Sequence, residues 1–328
     1  MQISQVRPYS TQNIVFGASS PINKISAKVN GADTRVVSKS EGTNSINGLF
    51  SSAIFVLNNY AVVDLFVKSC AIDANRFHSE ALKKYPELEE AFDKGSKKAQ
   101  DGTLLRKVQY GRFGYASVRD YSSNGNEKRR INILNCQPIE CFEDPTLGKD
   151  FVKWDKSYGY NNAKPYTYKE GYVEHLDGTS SFDKAFYFDG GSCSVVSTGS
   201  RNLPNGEKLE YCENIVFSDD KPAKYEKIYF RSPSKQVQER TTVIYENGLP
   251  KTFSMSQNGF VREITFENGL PAKYTSKQNS LYGCRAELSL SLPNMPLESA
   301  IKELEKEQAK IEDGCKLYGQ NSYFDFLL

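Results

Sequence analysis

The sequence predicts an α+β chain dominated by strands: a long antiparallel meander of hairpins, with a helical segment before it and a C-terminal helix covering the sheet. Three observations carry that reading. Asn247-Gly248, Asn258-Gly259 and Asn268-Gly269 follow one another at short intervals, each flanked by β-branched and aromatic residues. Asn and Gly tolerate the positive φ that tight hairpin turns require. Further turn pairs, Asn124-Gly125, Asp177-Gly178, Asp189-Gly190, Asn205-Gly206 and Asp219-Asp220, punctuate the chain upstream. Between them stand apolar i, i+2 pairs, among them Ile131/Ile133, Phe186/Phe188, Ile215/Phe217, Ile228/Phe230, Val243/Tyr245 and Ile264/Phe266. The 12% aromatic content, with 20 Tyr and 19 Phe, suits pleated strands.

Four segments follow in order. Residues 1–45 are rich in Ser, Thr, Asn and Gln and bury too little to offset their ordering entropy, so they read as a disordered polar tail. The patch from Ile14 to Ala18 is the one part of it that fits a docked strand. In composition this leader resembles the export signals of bacterial effectors delivered by needle-type secretion. Residues 46–103 are read as a hairpin or helix followed by two helices. Within them, Ile54–Lys68 has two apolar runs around Asn58-Asn59, and Ala61, Val63, Leu65 and Val67 alternate. The period of two favours a hairpin, and a buried helix is the alternative. Asp73 fits an N-cap ahead of Phe77, Ala81 and Tyr85, and Pro86 fits the start of a second helix. Gly95 and Asp101-Gly102 end the helical region.

Residues 104–292 form the meander. A repeat emerges when prolines are aligned: Ile215–Tyr225, Val243–Phe253 and Ile264–Tyr274 share apolar-x-aromatic, turn, Pro, then an aromatic, and Ile131–Cys141 is a degenerate copy. Tyr245-Glu246-Asn247-Gly248-Leu249-Pro250 and Phe266-Glu267-Asn268-Gly269-Leu270-Pro271 resemble the hairpin repeats of variant MORN and YwqK-like proteins, over residues 215–275 only. The family's glycine-rich strand starts and regular spacing are missing. Those repeats are generally non-catalytic, so the resemblance implies a scaffold.

Register can be argued further. Two-residue loops throughout would put Val243 and Tyr245 on one face and Ile264 and Phe266 on the other, since a one-residue slip flips every side chain. A three-residue middle loop, Gln257-Asn258-Gly259, restores alignment, with Thr252 facing Ile264, Pro250 facing Phe266 and Gly259 left-handed. Pro250 and Pro271 then occupy sites that need no ladder donor.

Residues 293–328 comprise an amphipathic helix and an apolar tail, Tyr323 to Leu328. Pro296 precedes Leu297, Ile301, Leu304, Gln308, Ile311, Cys315 and Tyr318, spaced by four and three. A lid on the sheet is the first reading. Self-association as a coiled coil needs the same stripe, but is disfavoured by its shortness and by Gly314.

Composition excludes several functions. A net charge of +2 gives no global field for nucleic acid or anionic membrane. Two histidines, His78 and His175, and seven cysteines without CxxC spacing argue against a metal centre, and no cofactor is expected. The start lacks a secretory signal and no apolar run of about 18 residues is present, so a soluble chain without a transmembrane segment is expected. It is placed in the cytoplasm, or exported without a Sec signal.

Candidate chemistry is sparse. Trp154, Tyr158, Tyr160, Tyr166 and Tyr168, in the aromatic segment 151–172, are candidate binding residues; they could stack on a ligand from a loop or cap the core. A hairpin centred on Asn202-Leu203 would set Cys193 opposite Cys212 as a candidate thiol pair. Glu174, His175 and Asp177 cluster, but adjacent strand residues point to opposite faces and Asp177-Gly178 is a turn, so no catalytic residue is assigned. Lys128-Arg129-Arg130 reads as a solvated strand end. The resulting expectation is a non-catalytic scaffold or protein-interaction protein. Its rivals are a secreted bacterial effector or enzyme with a scattered site, and a ligand binder using residues 151–172.

Overall fold

The computed structural model describes residues 11–14, 25–29, 39–203, 206–280 and 283–317. Among these the chain opens with β1 (Thr11–Ile14), β2 (Ile25–Val29) and the 55-residue helix α1 (Lys39–Asp93). Next come β3 (Lys97–Lys98), β4 (Leu104–Tyr110), β5 (Tyr115–Tyr121), β6 (Glu127–Leu134), β7 (Gln137–Leu147), β8 (Phe151–Asn161) and β9 (Lys164–His175). They are followed by β10 (Ser180–Ser181), β11 (Lys184–Asp189), β12 (Ser192–Asn202), β13 (Lys208–Ser218) and β14 (Lys221–Arg231). The last strands are β15 (Val237–Glu246), β16 (Leu249–Gln257), β17 (Phe260–Glu267), β18 (Leu270–Ser280) and β19 (Gly283–Ser291), before helix α2 (Leu297–Leu317). The expected β-dominated meander between an N-terminal helical segment and a C-terminal helix is the architecture observed.

Packing divides the chain into two compact units. In the unit made of Val67–Ala223 and Arg231–Ser234, β3 to β9 pair antiparallel in sequence order. Strand β9 also pairs with β10 and β11, and the ladder continues through β12 to β13. In the unit made of Met1–Phe66, Lys224–Phe230 and Lys235–Leu328, the run from β14 to β19 pairs in the same way. There β19 takes β2 on its free side, and β2 takes β1. The polar leader thus supplies two strands, and Lys39–Ser45 already belong to α1. This corrects the disordered tail for those residues: a ready sheet edge at β19 satisfies backbone groups that a polar segment could not bury alone.

A single hairpin design recurs. At Asn135-Cys136, Asn162-Ala163, Asp219-Asp220, Asn247-Gly248, Asn258-Gly259 and Asn268-Gly269 both turn residues have positive φ, the mark of a type I′ turn. Gly259 is left-handed at φ 80°, and Val243, Tyr245, Ile264 and Phe266 are all buried, so their shared face is observed. The three-residue middle loop is not. Gln257 pairs with Phe260 and Phe253 with Ile264, leaving a two-residue loop. The extra residue lies after each proline instead. Tyr245 pairs with Pro250 but Ile244 with Thr252, and Phe266 pairs with Pro271 but Thr265 with Lys273. Lys251 and Ala272 are therefore bulge residues, each bringing the strand after its proline back into phase.

The same bulge follows Pro138 and Pro165. Sequence alignment overlooked the second of these, Tyr158–Tyr168, because its turn is Asn162-Ala163 rather than Asn-Gly. In each of the five copies the residues at the first, third and eleventh positions are buried, as with Tyr158, Tyr160 and Tyr168. Gly269 has φ 80°, and a Cβ there would meet Leu249 Cδ2 at 3.3 Å. Gly269→Ala is therefore expected to cost about 1–2 kcal/mol, read by urea denaturation.

Helix α1 overturns the hairpin reading of 54–68 and the proposed breaks at Asp73 and Pro86. Ile46, Leu49, Phe50, Ala53, Val56, Leu57, Tyr60 and Val63 recur by three and four and are buried. The alternation that mimicked a strand splits in the helix: Val63 and Val67 face inward while Leu65 is 69% exposed. Asp73 lies inside the helix and pairs with Arg76 at 3.0 Å. The helix ends with Gly95 left-handed two residues beyond it. Tyr60 lies edge-on to Phe253 at 5.5 Å and tilted on Phe266 at 4.7 Å, so α1 covers the apolar sheet face in its unit. In that unit α2 buries Ala300 and Leu304, and its Gln308 Nε2 donates to Ser51 Oγ at 2.8 Å. Cover is shared between the two helices. The apolar tail from Tyr323 lies outside the described residues.

Candidate functional site

The aromatic segment is a hairpin rather than a loop, and most of it is core. Trp154, Tyr158, Tyr160 and Tyr168 are buried in β8 and β9; Tyr166 is 46% exposed because it is the bulge residue after Pro165. Tyr158 and Tyr168 face the helix: Phe77 stacks on Tyr168 with centroids 3.7 Å apart, and Tyr158 Oη donates to Glu80 at 3.3 Å. Burial pushes the hydroxyls of Tyr158, Tyr160 and Tyr168 well above the ordinary tyrosine range. Trp154 packs elsewhere, 5.2 Å from Phe142 and beneath the Arg130 guanidinium at 4.8 Å. The structure therefore does not gather these five residues on one accessible platform.

The facing of Cys193 and Cys212 also fails. Cys193 pairs with Phe217 and Cys212 with Thr198, because the chain reverses across Leu203–Glu207 and not at Asn202-Leu203. Cys212 is exposed, whereas burial pushes the Cys193 thiol up to about 12, with Cys70 as a second contributor. Glu174 receives Arg130 Nη1 at 3.2 Å, His175 faces Phe151, and Asp177 Oδ1 accepts from Thr179 N and Oγ1 at 2.8 and 2.7 Å. They do not converge. Among the described residues no group of three or more His, Cys, Asp or Glu could hold a metal ion.

The basic triplet is not a solvated strand end. Arg129 and Arg130 point to opposite faces of β6. On the inner side Asp120, nearly buried, takes Arg106 Nε at 2.6 Å and Nη2 at 3.2 Å, and Arg129 Nε at 2.9 Å and Nη2 at 2.7 Å. Burial raises the Asp120 carboxyl, but the two guanidiniums outweigh it and hold the carboxyl below its usual range. A cavity of about 600 Å³ opens beside this cluster, and Glu143 and Asp144 also line it. With both Asp120 oxygens committed, the cluster serves as an ionic brace.

The remaining feature is the outer flank of α1. Phe55, Val62 and Leu65 are 49, 68 and 69% exposed, one or two turns apart on one side of the helix. The opposite side carries the buried Val56, Tyr60 and Val63. A helix apolar on both flanks is a core helix or an interface helix. By length and composition alone, Ile46–Lys83 is also apolar enough to cross a membrane. Asn58, Asn59 and Asp64 interrupt its apolar run in sequence. No protein-family model matches the chain, and no curated protein is significantly similar to it.

Proposed function

We propose that this chain is a non-catalytic interaction scaffold, akin to variant MORN and YwqK-like hairpin-repeat proteins, whose protein partner docks on the outer flank of α1 around Phe55, Val62 and Leu65. The observation supporting this reading is the exposure of three large apolar side chains on a helix whose other flank already serves a filled core.

A photoreactive amino acid at Val62, in the full chain, tests it in extracts of the source cell. A discrete protein adduct is expected, lost on Leu65→Asp and not formed from the same probe at the exposed Ser79. Leu65→Asp is expected to change stability by no more than about 0.5 kcal/mol, because the side chain is exposed. Adducts with lipid alone, equal adducts from Ser79, or none would overturn the proposal.

A further inference from the structure

We infer that the outer face of β4, β5 and β6 binds an aromatic phosphate ester, with the oxyanion on Ser117, Arg119 and Arg130 and the ring against Tyr115. Alternation along β5 puts Tyr115, Ser117 and Arg119 on one side, and β6 adds Arg130 and Asn132. The register makes two rows across the strands. Gln109, Ser117 and Asn132 are successive cross-strand partners, as are Lys107, Arg119 and Arg130. Of the second row, Arg119 and Arg130 line the groove.

A groove of about 320 Å³, within the size range of small-ligand sites, lies over these rows. No carboxylate is among the residues that line it. The acidic neighbours sit outside: Glu127 is 3.7 Å from Arg119 and 3.3 Å from Arg130, Glu174 is 3.2 Å from Arg130, and Glu140 holds Asn132 at 3.0 Å. They steady the arginines and leave donors toward the groove. Two of its lining residues each carry a buried polar atom without a hydrogen-bond partner, Ser117 Oγ and Arg119 Nε. Buried polar atoms are rarely left unpaired, and both of these can donate to an oxyanion. A guanidinium fork suits tetrahedral oxyanions, and Tyr115 supplies an apolar wall for the ester group.

Calorimetric titration of the full chain with phenyl phosphate, inorganic phosphate and acetate, at constant ionic strength, tests the inference. Phenyl phosphate is expected to bind most tightly and inorganic phosphate to compete with it. Arg119→Gln should weaken phenyl phosphate by about tenfold or more, the loss of a charge-assisted hydrogen bond. Ser117→Ala should weaken it several-fold with no fall in melting temperature, because the hydroxyl removed had no partner. Lys221→Gln, an exposed charge elsewhere, should leave the affinity unchanged. The inference is overturned if acetate binds as tightly as phenyl phosphate. It is also overturned if folded Arg119→Gln and Ser117→Ala bind like the parent, or if Lys221→Gln weakens binding as much as they do.

Discussion

Asp120→Asn is expected to remove about 3–5 kcal/mol of stability at neutral pH, because it leaves the guanidiniums of Arg106 and Arg129 facing each other without the charge that holds them. In a unit of this size that corresponds to a fall in melting temperature on the order of 10 °C. Asparagine keeps the shape, so the loss reports charge and hydrogen bonding rather than a cavity. The pH dependence follows from the depressed carboxyl. Its contribution is complete above the unfolded-state value of about 3.9 and is lost as pH falls through the lower folded-state value. Urea denaturation of parent and variant should therefore give a full gap at pH 7 that closes only under strong acid. A gap that is small at pH 7, or that closes near pH 6, would show that Asp120 is not the brace described.

Phe77→Ala should cost a similar amount, about 3–5 kcal/mol, for a different reason. Phe77 is buried where α1 meets the sheet of its unit, stacked on Tyr168 and edge-on to Phe186 at 5.2 Å. Truncation removes the ring's transfer energy and leaves a void that two aromatic neighbours on fixed strands cannot close. Phe77→Leu should recover much of the loss, because it restores most of the volume. Denaturant midpoints of the two variants provide the check; equal losses would point to the stacking geometry rather than the filled space.

Trp154, Tyr158 and Tyr168 show how far composition can mislead about a site. Aromatic density in residues 151–172 was legible, but density does not say which face of a strand a ring occupies. Strand pairing puts these rings inside, Tyr158 and Tyr168 beneath α1 and Trp154 against Phe142. Only Tyr166, pushed out by its bulge, stayed near the surface. The row of Lys107, Arg119 and Arg130 was illegible for a related reason: its members are 11 or 12 residues apart in sequence and meet only through register.

Local chemistry was decisive for the turns. Asn-Gly pairs, and Asp or Asn in their place, reverse the chain because few other residues accept two successive positive φ values, so the meander and its buried i, i+2 positions could be read directly. The C-terminal helix was equally local, announced by Pro296 and a four-three stripe. What only the tertiary structure decided were the choices with nearly balanced local preferences. Ile54–Lys68 is β-branched enough for a strand and becomes a helix because a helix can cover a sheet's apolar face with one continuous flank. The bulges after the prolines, and the partners of Cys193, followed from the need to keep every inward side chain inward across many strands. That demand is set by burial over distance, and no short window of sequence expresses it.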